Sequence, residues 1–292
     1  MNKKTIAVIG ATGLQGKGVV NALEEKGTFN VRAITRNPDN YVGKANEVLK
    51  ADLNDVASLK VAFKNAYGVF VVTNFMEHQD EISQVKNAIE AAKEAGVQHF
   101  IWSTLPNVEA ISQGEFDVPF FSGKAKANEL VTNAGFKYHT FVQPPFYFQN
   151  FSGALAPSQK QDGTIGWTFP IDPTQKTIHL GDINDLGKVV TGALLQPEKV
   201  GNGALLSMAT ELKSFNDILE TYKNNGKEYS FTQVPAEVFS TFFEGASLYS
   251  EMFGFIGKHK FMGPNSENSI ALAKEIATEP LLSLNEWIQQ NN

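Results

Sequence analysis

The sequence predicts an α/β protein with a doubly wound parallel sheet and a smaller C-terminal α+β lobe. In its first half, short continuous apolar segments alternate with amphipathic segments of helical period. Continuous apolar strands separated by helices are typical of a parallel sheet covered on both faces, and right-handed crossovers make such a sheet doubly wound. The alternation ends after Pro144-Pro145, so we expect a different architecture from there onward.

Each element of the first half is predicted from its own pattern. Residues 15–26, for example, place Val19, Val20 and Leu23 on one helical face, and Gly27 supplies a stop signal. The predicted elements, in chain order, are strand Ile6–Ile9, helix Gln15–Lys26, strand Val31–Thr35, strand Val48–Ala51, helix Val56–Ala66, strand Val69–Val72, helix Glu77–Ala95, strand Phe100–Trp102, helix Lys124–Ala134 and strand Thr140–Val142.

The second half has a less regular pattern. Residues 151–176 are rich in Gly, Pro and Gln and are predicted to form loops over the strand ends. Asp182 and Asp185 are predicted to cap a helix that runs through Leu195, and Gly203–Met208 is predicted as a strand. The remaining phenylalanines are interpreted as the core of a small lobe rather than as a ligand site. They include Phe231, Phe239, Phe242, Phe243, Phe253, Phe255 and Phe261.

These patterns divide the chain into two parts. Residues 1–150 form the parallel-sheet domain, and residues 151–292 form a smaller lobe for a substrate or a partner. Segments near 177–195 and 203–209 are predicted to return to the first domain, because they have the character of a further helix and strand of the sheet.

Composition limits the classes of function. A net charge of −6 disfavours direct nucleic-acid binding, because an acidic surface repels phosphate backbones. The absence of cysteine excludes disulfides, thiolate zinc sites and cysteine nucleophiles, and no spacing of carboxylates and histidines suggests a metal site. No signal-peptide pattern precedes the first strand, and no apolar segment approaches the ~18 residues of a membrane span. We expect a cytoplasmic protein, and the sequence leaves open whether it also enters the nucleus.

Three glycines lie between the first strand and the first helix. Gly10, Gly13 and Gly16 stand three residues apart, where glycines permit a tight turn, the approach of a pyrophosphate, and close packing of the helix on the sheet. The N-terminus of the helix presents free N–H groups to the phosphates. The segment therefore predicts a dinucleotide site on a Rossmann-type domain. The alternative is a glycine-rich turn without a ligand, and a P-loop is excluded because no Gly-Lys-Ser/Thr follows.

The end of the second strand distinguishes NAD from NADP. An acidic residue about 20 residues beyond the glycines would bind the ribose hydroxyl of NAD. The sequence has Thr35-Arg36-Asn37-Pro38 there, with no carboxylate to repel a 2′-phosphate. The guanidinium of Arg36 suits a 2′-phosphate, so we predict NADP(H), with Arg36 and Asn37 in its site. The alternative is an exposed arginine in a turn before a proline.

Two further strand ends are candidates for the same site, because ligands of open α/β sheets lie beyond the carboxyl ends of the strands. Asp52 and Leu53 are predicted to border the adenine, although Asp52 is equally suited to cap the helix that begins near Asn54. The segment Thr73-Asn74-Phe75 is predicted on the ribose and nicotinamide side, and His78 is a weaker candidate for the border of this pocket.

At this point the sequence resembles the NmrA-like proteins, which are atypical members of the short-chain dehydrogenase/reductase superfamily. The resemblance extends over essentially the whole chain, and its more specific parts are Thr-Asn-Phe and Phe-Tyr-Phe-Gln-Asn. The segments that carry it are Gly10–Gly16, Thr35–Pro38, Val72–Phe75, Phe121–Lys124, Phe146–Asn150, Gly181–Gly187 and Leu284–Trp287.

The resemblance implies a Rossmann domain, a C-terminal lobe and a preference for NADP(H). It also implies which residues bind the cofactor. They are Gly10, Ala11, Thr12, Gly13, Leu14, Gln15, Arg36 and its neighbours, Asp52, Leu53, Thr73, Asn74, Phe75, Lys124, Tyr147, Phe148, Gln149 and Asn150.

The resemblance also raises a question about catalysis. Ordinary dehydrogenases of this superfamily have a tyrosine one helical turn before such a lysine, and its phenol passes a proton to the substrate. This chain has Phe120 in that position, and it has no tyrosine between Tyr67 and Tyr138. Ser103 stands where the superfamily's catalytic serine would be, but a serine hydroxyl is too weak an acid to replace a phenol.

Two interpretations remain open. In the first, the protein binds NADP(H) without turnover, senses the redox state and regulates a partner protein, as NmrA-like regulators are thought to do. In the second, it reduces a small molecule such as a quinone or a conjugated carbonyl with NADPH, and Lys124 is the catalytic residue. A third and weaker alternative is an interaction module with a structural nucleotide. The sequence indicates neither the partner, the substrate nor the oligomeric state.

Overall fold

The computed structural model describes residues 3–77, 80–153, 155–160 and 162–291. The strands in this part of the chain are β1 Thr5–Ile9, β2 Asn30–Thr35, β3 Glu47–Lys50, β4 Gly68–Val71, β5 His99–Ser103, β6 Tyr138–Gln143, β7 Phe146–Tyr147, β8 Ser158–Gln159, β9 Ile165–Phe169, β10 Ile178–Gly181, β11 Asn202–Ser207, β12 Glu211–Lys213 and β13 Ser230–Gln233.

The helices lie between these strands and in the last quarter of the chain. They are α1 Leu14–Lys26, α2 Val56–Phe63, α3 Glu81–Glu94, α4 Val108–Ser112, α5 Pro119–Asn133, α6 Asp185–Leu195, α7 Pro197–Val200, α8 Phe215–Asn224, α9 Ala236–Phe239, α10 Ala246–His259, α11 Glu267–Ile276 and α12 Leu284–Gln290.

The main sheet has the strand order β11-β6-β5-β4-β1-β2-β3, and all of its pairs are parallel. The chain runs from β1 to β2 and β3 on one side, then returns to β4 on the other side of β1. The strand order therefore reverses between β1 and β4, which is where doubly wound sheets bind ligands. The predicted doubly wound α/β fold is confirmed.

The two faces of the sheet are covered by different helices, as the continuous apolar strands require. Ile6 and Val8 of β1 pack in one buried cluster with α1 and α6, whereas Ala7 and Ile9 pack in another with α2, α3 and α5. Successive side chains of a strand point to opposite faces, so both must be apolar where both faces are covered.

Helices α1 and α6 approach closely because both are glycine-rich at their contact. A Cβ on Gly187 would lie 2.2 Å from the backbone oxygen of Gly18, and a Cβ on Gly18 would lie 3.1 Å from Asn184 Cα. Strand β11 pairs with β6 at the edge of the main sheet, and α6 packs against α1, whereas β10, from the segment near 177–195, lies in a small sheet with β12 and β7.

The C-terminal lobe contains two small sheets, β12-β10-β7 and β13-β9-β8, over an aromatic core. Strands β8 and β9 lie in the segment predicted as loops; apolar Trp167 and Phe169 drive β9 into the core despite its glycine-rich surroundings. Phe239, Phe253, Phe255 and Phe261 are buried, and Phe231 is partly buried, as predicted. Phe242 and Phe243, however, are each 48% exposed.

Several helix boundaries differ from prediction. Helix α3 begins at Glu81 rather than Glu77, because Asp80 caps it through Ser83 N. Helix α5 begins at Pro119 rather than Lys124, since proline at the first helical position starts a helix.

The prediction that Asp182 and Asp185 cap α6 was wrong. The capping position is Asn184, while Asp182 Oδ1 accepts from Asn184 N, and Asp185 accepts from Leu282 N and pairs with Lys188. No helix in the described residues is both long and apolar enough to cross a membrane.

Candidate functional site

A cavity of about 560 Å³ lies at the carboxyl ends of β1, β2, β3 and β4. It is the crevice where a doubly wound sheet binds its ligand. The sequence-predicted residues that line it are Gly10, Thr12, Gly13, Leu14, Gln15, Gly16, Arg36, Asp52, Leu53, Thr73, Asn74 and Tyr147. We call it the crevice below.

The glycine turn forms the floor of the crevice. Gly10 has a φ of +68°, which favours glycine, and Gly13 N donates to Gly10 O at 2.8 Å. A Cβ on Gly16 would lie 2.2 Å from Gly10 O, so only glycine lets α1 begin this close to the turn. The predicted role of the last glycine in helix packing therefore agrees with this geometry.

The first turn of α1 suits a diphosphate. Its capping position is Gly13, no side chain caps it, and its first turn carries no acidic residue. The first N–H groups of a helix have no acceptor within the helix, so here they face the crevice together with the positive end of the helix dipole.

The side chain of Gln15 connects this turn to two other strand ends. Ser103 Oγ, at the end of β5, donates to Gln15 Oε1 at 2.6 Å, and Gln15 Nε2 donates to Tyr147 Oη at 2.9 Å. Burial raises the pKa of Tyr147, and the hydrogen bond from Gln15 opposes this only in part. The phenol therefore stays neutral at physiological pH.

Arg36 does not stand alone at the end of β2. Its Nη2 contacts Glu77 Oε2 at 2.7 Å, and both side chains line the crevice. Residues 35–38 contain no carboxylate, but the folded chain brings Glu77 to Arg36, so the expectation that no carboxylate is present near Arg36 was wrong. Glu77 arrives from the turn after β4, on the far side of β1, and no local pattern predicts that contact.

Asp52 has a role other than the capping role considered from sequence. Helix α2 is capped by Asp55, which accepts from Ser58 N, whereas Asp52 Oδ1 accepts from Asn54 N at 2.8 Å. Asp52 thus holds the turn after β3, and with Leu53 it lines the crevice.

Lys124 is buried behind the crevice in a compact polar cluster. Its Nζ donates to Thr73 O at 2.7 Å, to Thr73 Oγ1 at 2.8 Å and to Glu81 Oε1 at 2.5 Å. The side chains of Lys124 and Glu81 are 9% and 2% exposed. An ammonium group has three donors, so all of them are engaged. Burial lowers the pKa of Lys124, while the charge of Glu81 partly opposes this.

Phe120 precedes Lys124 by one turn of the same helix, α5, as the sequence implied. Its ring contacts Phe75 at 6.2 Å and Tyr249 at 6.2 Å between centroids. Phe120 therefore belongs to an aromatic cluster that joins the loop after β4 to helix α10 of the C-terminal lobe. The position offers no hydroxyl group.

Three other predicted residues lie near the crevice but not on its wall. Ala11 is buried at 2% exposure beneath the glycine turn. The backbone N of Asn37 donates to Thr35 Oγ1 and so shapes the turn after β2. Phe75 packs on Phe120. Their contacts with a cofactor stay predictions.

The segment after Tyr147 turns away from the crevice. Phe148 is buried in the aromatic core of the C-terminal lobe. Gln149 Nε2 donates to Asp182 Oδ1, and Gln149 Oε1 accepts from Ile183 N, so this side chain joins the segment to the turn before α6. Asn150 lies within a short 3₁₀ turn, Phe148–Ser152. His78 lies outside the described residues.

The crevice also contains residues that the sequence did not indicate. Most of them are the last residues of the predicted strands, which the sequence analysis assigned to the sheet and not to the site. Glu77, in the turn after β4, and Gln84, in α3, belong to no motif. The unpredicted lining residues are Ile9, Ile34, Thr35, Ala51, Asn54, Val72, Glu77 and Gln84.

A second cavity, of about 700 Å³, lies in the C-terminal lobe. The half-exposed rings of Phe242 and Phe243 line it together with Tyr249. Tyr249 also contacts Phe120, whose ring contacts Phe75 in the loop that borders the crevice.

Comparisons with known proteins place this geometry in a wider context. An NmrA-like family domain-containing oxidoreductase, FrzB of Cladobotryum sp., is 28% identical over 255 residues, which cover 78% of this chain and 76% of that protein. The structure of NmrA, a negative transcriptional regulator in complex with NADP, matches with a TM-score of 0.81 at 23% identity, covering 99% of this chain and 95% of that one.

A third match is the structure of an NADPH-dependent quinone oxidoreductase, QOR2 of Escherichia coli, complexed with NADPH. It has a TM-score of 0.78 at 17% identity and covers 98% of this chain and 99% of that one. At such identities these two structures establish the fold alone. The model of the NmrA-like family matches residues 2–288, and the chain therefore belongs to the NmrA-like family.

Proposed function

We propose that the protein binds NADP(H) in the crevice and acts as a redox-sensing regulator. The fit of the crevice to a dinucleotide supports binding: an uncapped, glycine-rich helix start for the diphosphate and Arg36 at the end of β2 for a 2′-phosphate. Asp52 and Leu53 would border the adenine, and Thr73 and Asn74 the other half of the dinucleotide. NmrA, a regulator, was crystallised with NADP and also with NAD, which is consistent with a dinucleotide site.

The regulatory role rests on two positions, Phe120 and Lys124, where a reductase of this superfamily would have its acid or base. Phe120 has no proton to donate where ordinary dehydrogenases have a phenol. Lys124, the alternative acid or base, has all three donors engaged by Thr73 and Glu81 inside the protein. Its role in this arrangement is to hold the loop after β4 against α5. A regulatory partner protein would recognise the surface that this loop presents in the bound state.

A second candidate is an NADPH-dependent reductase of quinones or conjugated carbonyls. The aromatic cavity beside Phe120 favours it, because flat apolar molecules bind well among aromatic side chains. A quinone accepts a hydride from NADPH and one proton from solvent, giving a hydroquinone and NADP⁺, so no side-chain acid is required. Relatives described as oxidoreductases are consistent with this alternative.

Two measurements on the purified protein distinguish the candidates. Titration calorimetry gives the affinities for NADP⁺, NADPH, NAD⁺ and NADH, and absorbance of NADPH reports its oxidation with a panel of quinones and ketones. The regulator binds NADP(H) without turnover above the rate in buffer. Turnover of NADPH above the rate in buffer with any of these acceptors would overturn the regulatory proposal in favour of the reductase.

A further inference from the structure

The ion pair between Arg36 and Glu77 crosses the crevice. Arg36 follows β2 and Glu77 follows β4, and these strands flank β1, whose glycine turn forms the floor between them. The two side chains are 64% and 51% exposed, and Arg36 Nη2 lies 2.7 Å from Glu77 Oε2. Among the described residues that line the crevice, Arg36 is the only one with a cationic side chain.

Resting on the proposed NADP(H) site, we propose that Glu77 weakens the preference for NADP(H) over NAD(H) by competing for Arg36. A carboxylate oxygen and a phosphate oxygen accept the same charge-assisted hydrogen bond from a guanidinium. Glu77 therefore occupies Nη2 and offsets part of the positive charge of Arg36, so a 2′-phosphate that binds at Nη2 has to displace Glu77. NAD(H) carries a 2′-hydroxyl in place of the phosphate, so it leaves the pair intact.

A 2′-phosphate displaces Glu77 from Arg36, but breaking the ion pair lowers the affinity for NADP(H). A solvent-exposed ion pair is weak, and a phosphate that carries nearly two charges displaces a carboxylate that carries one. Once displaced, the Glu77 carboxylate remains near the phosphate and repels it. Glu77 thus lowers the affinity for NADP(H) without lowering that for NAD(H). It therefore narrows the difference between these two affinities that Arg36 creates.

Breaking the pair also releases the loop after β4. Glu77 N donates to Asn74 O at 3.2 Å, within a turn that directly follows Thr73, the residue that holds Lys124. Phe75 in the same turn contacts Phe120. The two nucleotides therefore leave residues 73–77 in two states, with the Arg36 pair intact for NAD(H) and broken for NADP(H). This difference gives the proposed regulator a second signal, which reports whether NADP(H) or NAD(H) is bound and is independent of the oxidation state of the nicotinamide.

The test compares the affinities of NADP⁺ and NAD⁺ for the wild type and Glu77→Gln by titration calorimetry. We expect Glu77→Gln to bind NADP⁺ about three- to tenfold more tightly, with NAD⁺ binding unchanged or weaker. The matched control is Glu109→Gln, which removes a carboxylate from another surface pair, Lys126–Glu109, with side chains 55% and 60% exposed. This control should leave both affinities unchanged.

The double variant Arg36→Ala/Glu77→Gln tests the competition itself. Compared with Arg36→Ala alone, it should show a smaller gain in NADP⁺ affinity than Glu77→Gln shows over the wild type, because only the repulsion is removed and not the competition for the guanidinium. An undiminished gain would show that Glu77 acts by repulsion only and would overturn the competition. An unchanged NADP⁺ to NAD⁺ ratio in Glu77→Gln would overturn the inference while leaving the NADP(H) site standing. A wild type that binds neither nucleotide would overturn the proposed function itself.

Discussion

Individual side chains in this protein illustrate how burial determines chemistry. Lys124 and Glu81 form an ion pair in the interior, where each charge depends on the other because neither reaches much water. Glu81 Oε2 is buried without a hydrogen-bond partner among the described residues, so the carboxylate relies on its other oxygen. The pair therefore stabilises one arrangement of the loop after β4 rather than supplying a mobile catalytic group.

Removing one partner of this pair should destabilise the protein strongly. We expect Lys124→Met to lower the free energy of unfolding by about 3–5 kcal/mol, because it leaves Glu81 charged and unpaired in the interior. The double variant Lys124→Met/Glu81→Gln should lose considerably less. Urea denaturation of the wild type, the two single variants Lys124→Met and Glu81→Gln, and the double variant measures this, and additive losses from the two substitutions would contradict the coupling.

The guanidinium of Arg36 is the predicted reader of the 2′-phosphate. Arg36→Ala should weaken NADP⁺ binding about ten- to a hundredfold, the range expected for losing a hydrogen bond to a charged group, and should spare NAD⁺. Calorimetric titration with both nucleotides measures the two affinities. Equal losses for the two would mean that Arg36 does not contact the 2′-phosphate.

His99 should make stability depend on pH. Burial, with the nearby charges of His139 and Lys4, lowers the pKa of His99 from 6.5 to about 3. As pH falls below 6.5, the unfolded chain takes up a proton that the folded protein refuses, so the free energy of unfolding decreases down to about pH 3. The loss near pH 5 is about 2 kcal/mol. Urea denaturation at about pH 7.5 and about pH 5 should show a smaller loss in His99→Gln, and an equal loss would refute this role.

At the level of secondary structure, glycine determines how closely elements approach. The sequence indicates Gly16 as a packing glycine through its motif, and the helix start that it permits is present. It does not indicate that Gly18 and Gly187, which are far apart in the chain, meet between α1 and α6. Motifs are local, whereas that contact depends on how two helices lie on one face of the sheet.

The contact between α1 and α6 should not accept a methyl group. In Gly187→Ala the Cβ would lie 2.2 Å from Gly18 O, so the helices must separate, and we expect a loss of about 1–3 kcal/mol in the free energy of unfolding. Gly257→Ala in helix α10 is the control. Its Cβ would lie 3.8 Å from Ile171 Cγ1, which is an ordinary van der Waals contact. Thermal denaturation should show a loss for the first variant only.

For the whole molecule, the regular alternation of apolar and amphipathic segments was enough to predict the doubly wound sheet, because both faces of each strand are buried. The glycine turn and the strand ends predicted most of the crevice wall, since the topology brings all carboxyl ends to one edge. Glu77 and Glu81 were not predicted, because their partners Arg36 and Lys124 lie on other elements. Strand β9 was not predicted either, since its pairing with β13 joins distant segments.

The central claim is that the crevice holds NADP(H) across the glycine turn. A crystal structure of the protein grown with excess NADP⁺ tests it most directly. The account predicts electron density for the dinucleotide at the first turn of α1, with the 2′-phosphate on Arg36 and Glu77 displaced from it. A crevice that stays empty, or that the protein's own side chains fill, would contradict it.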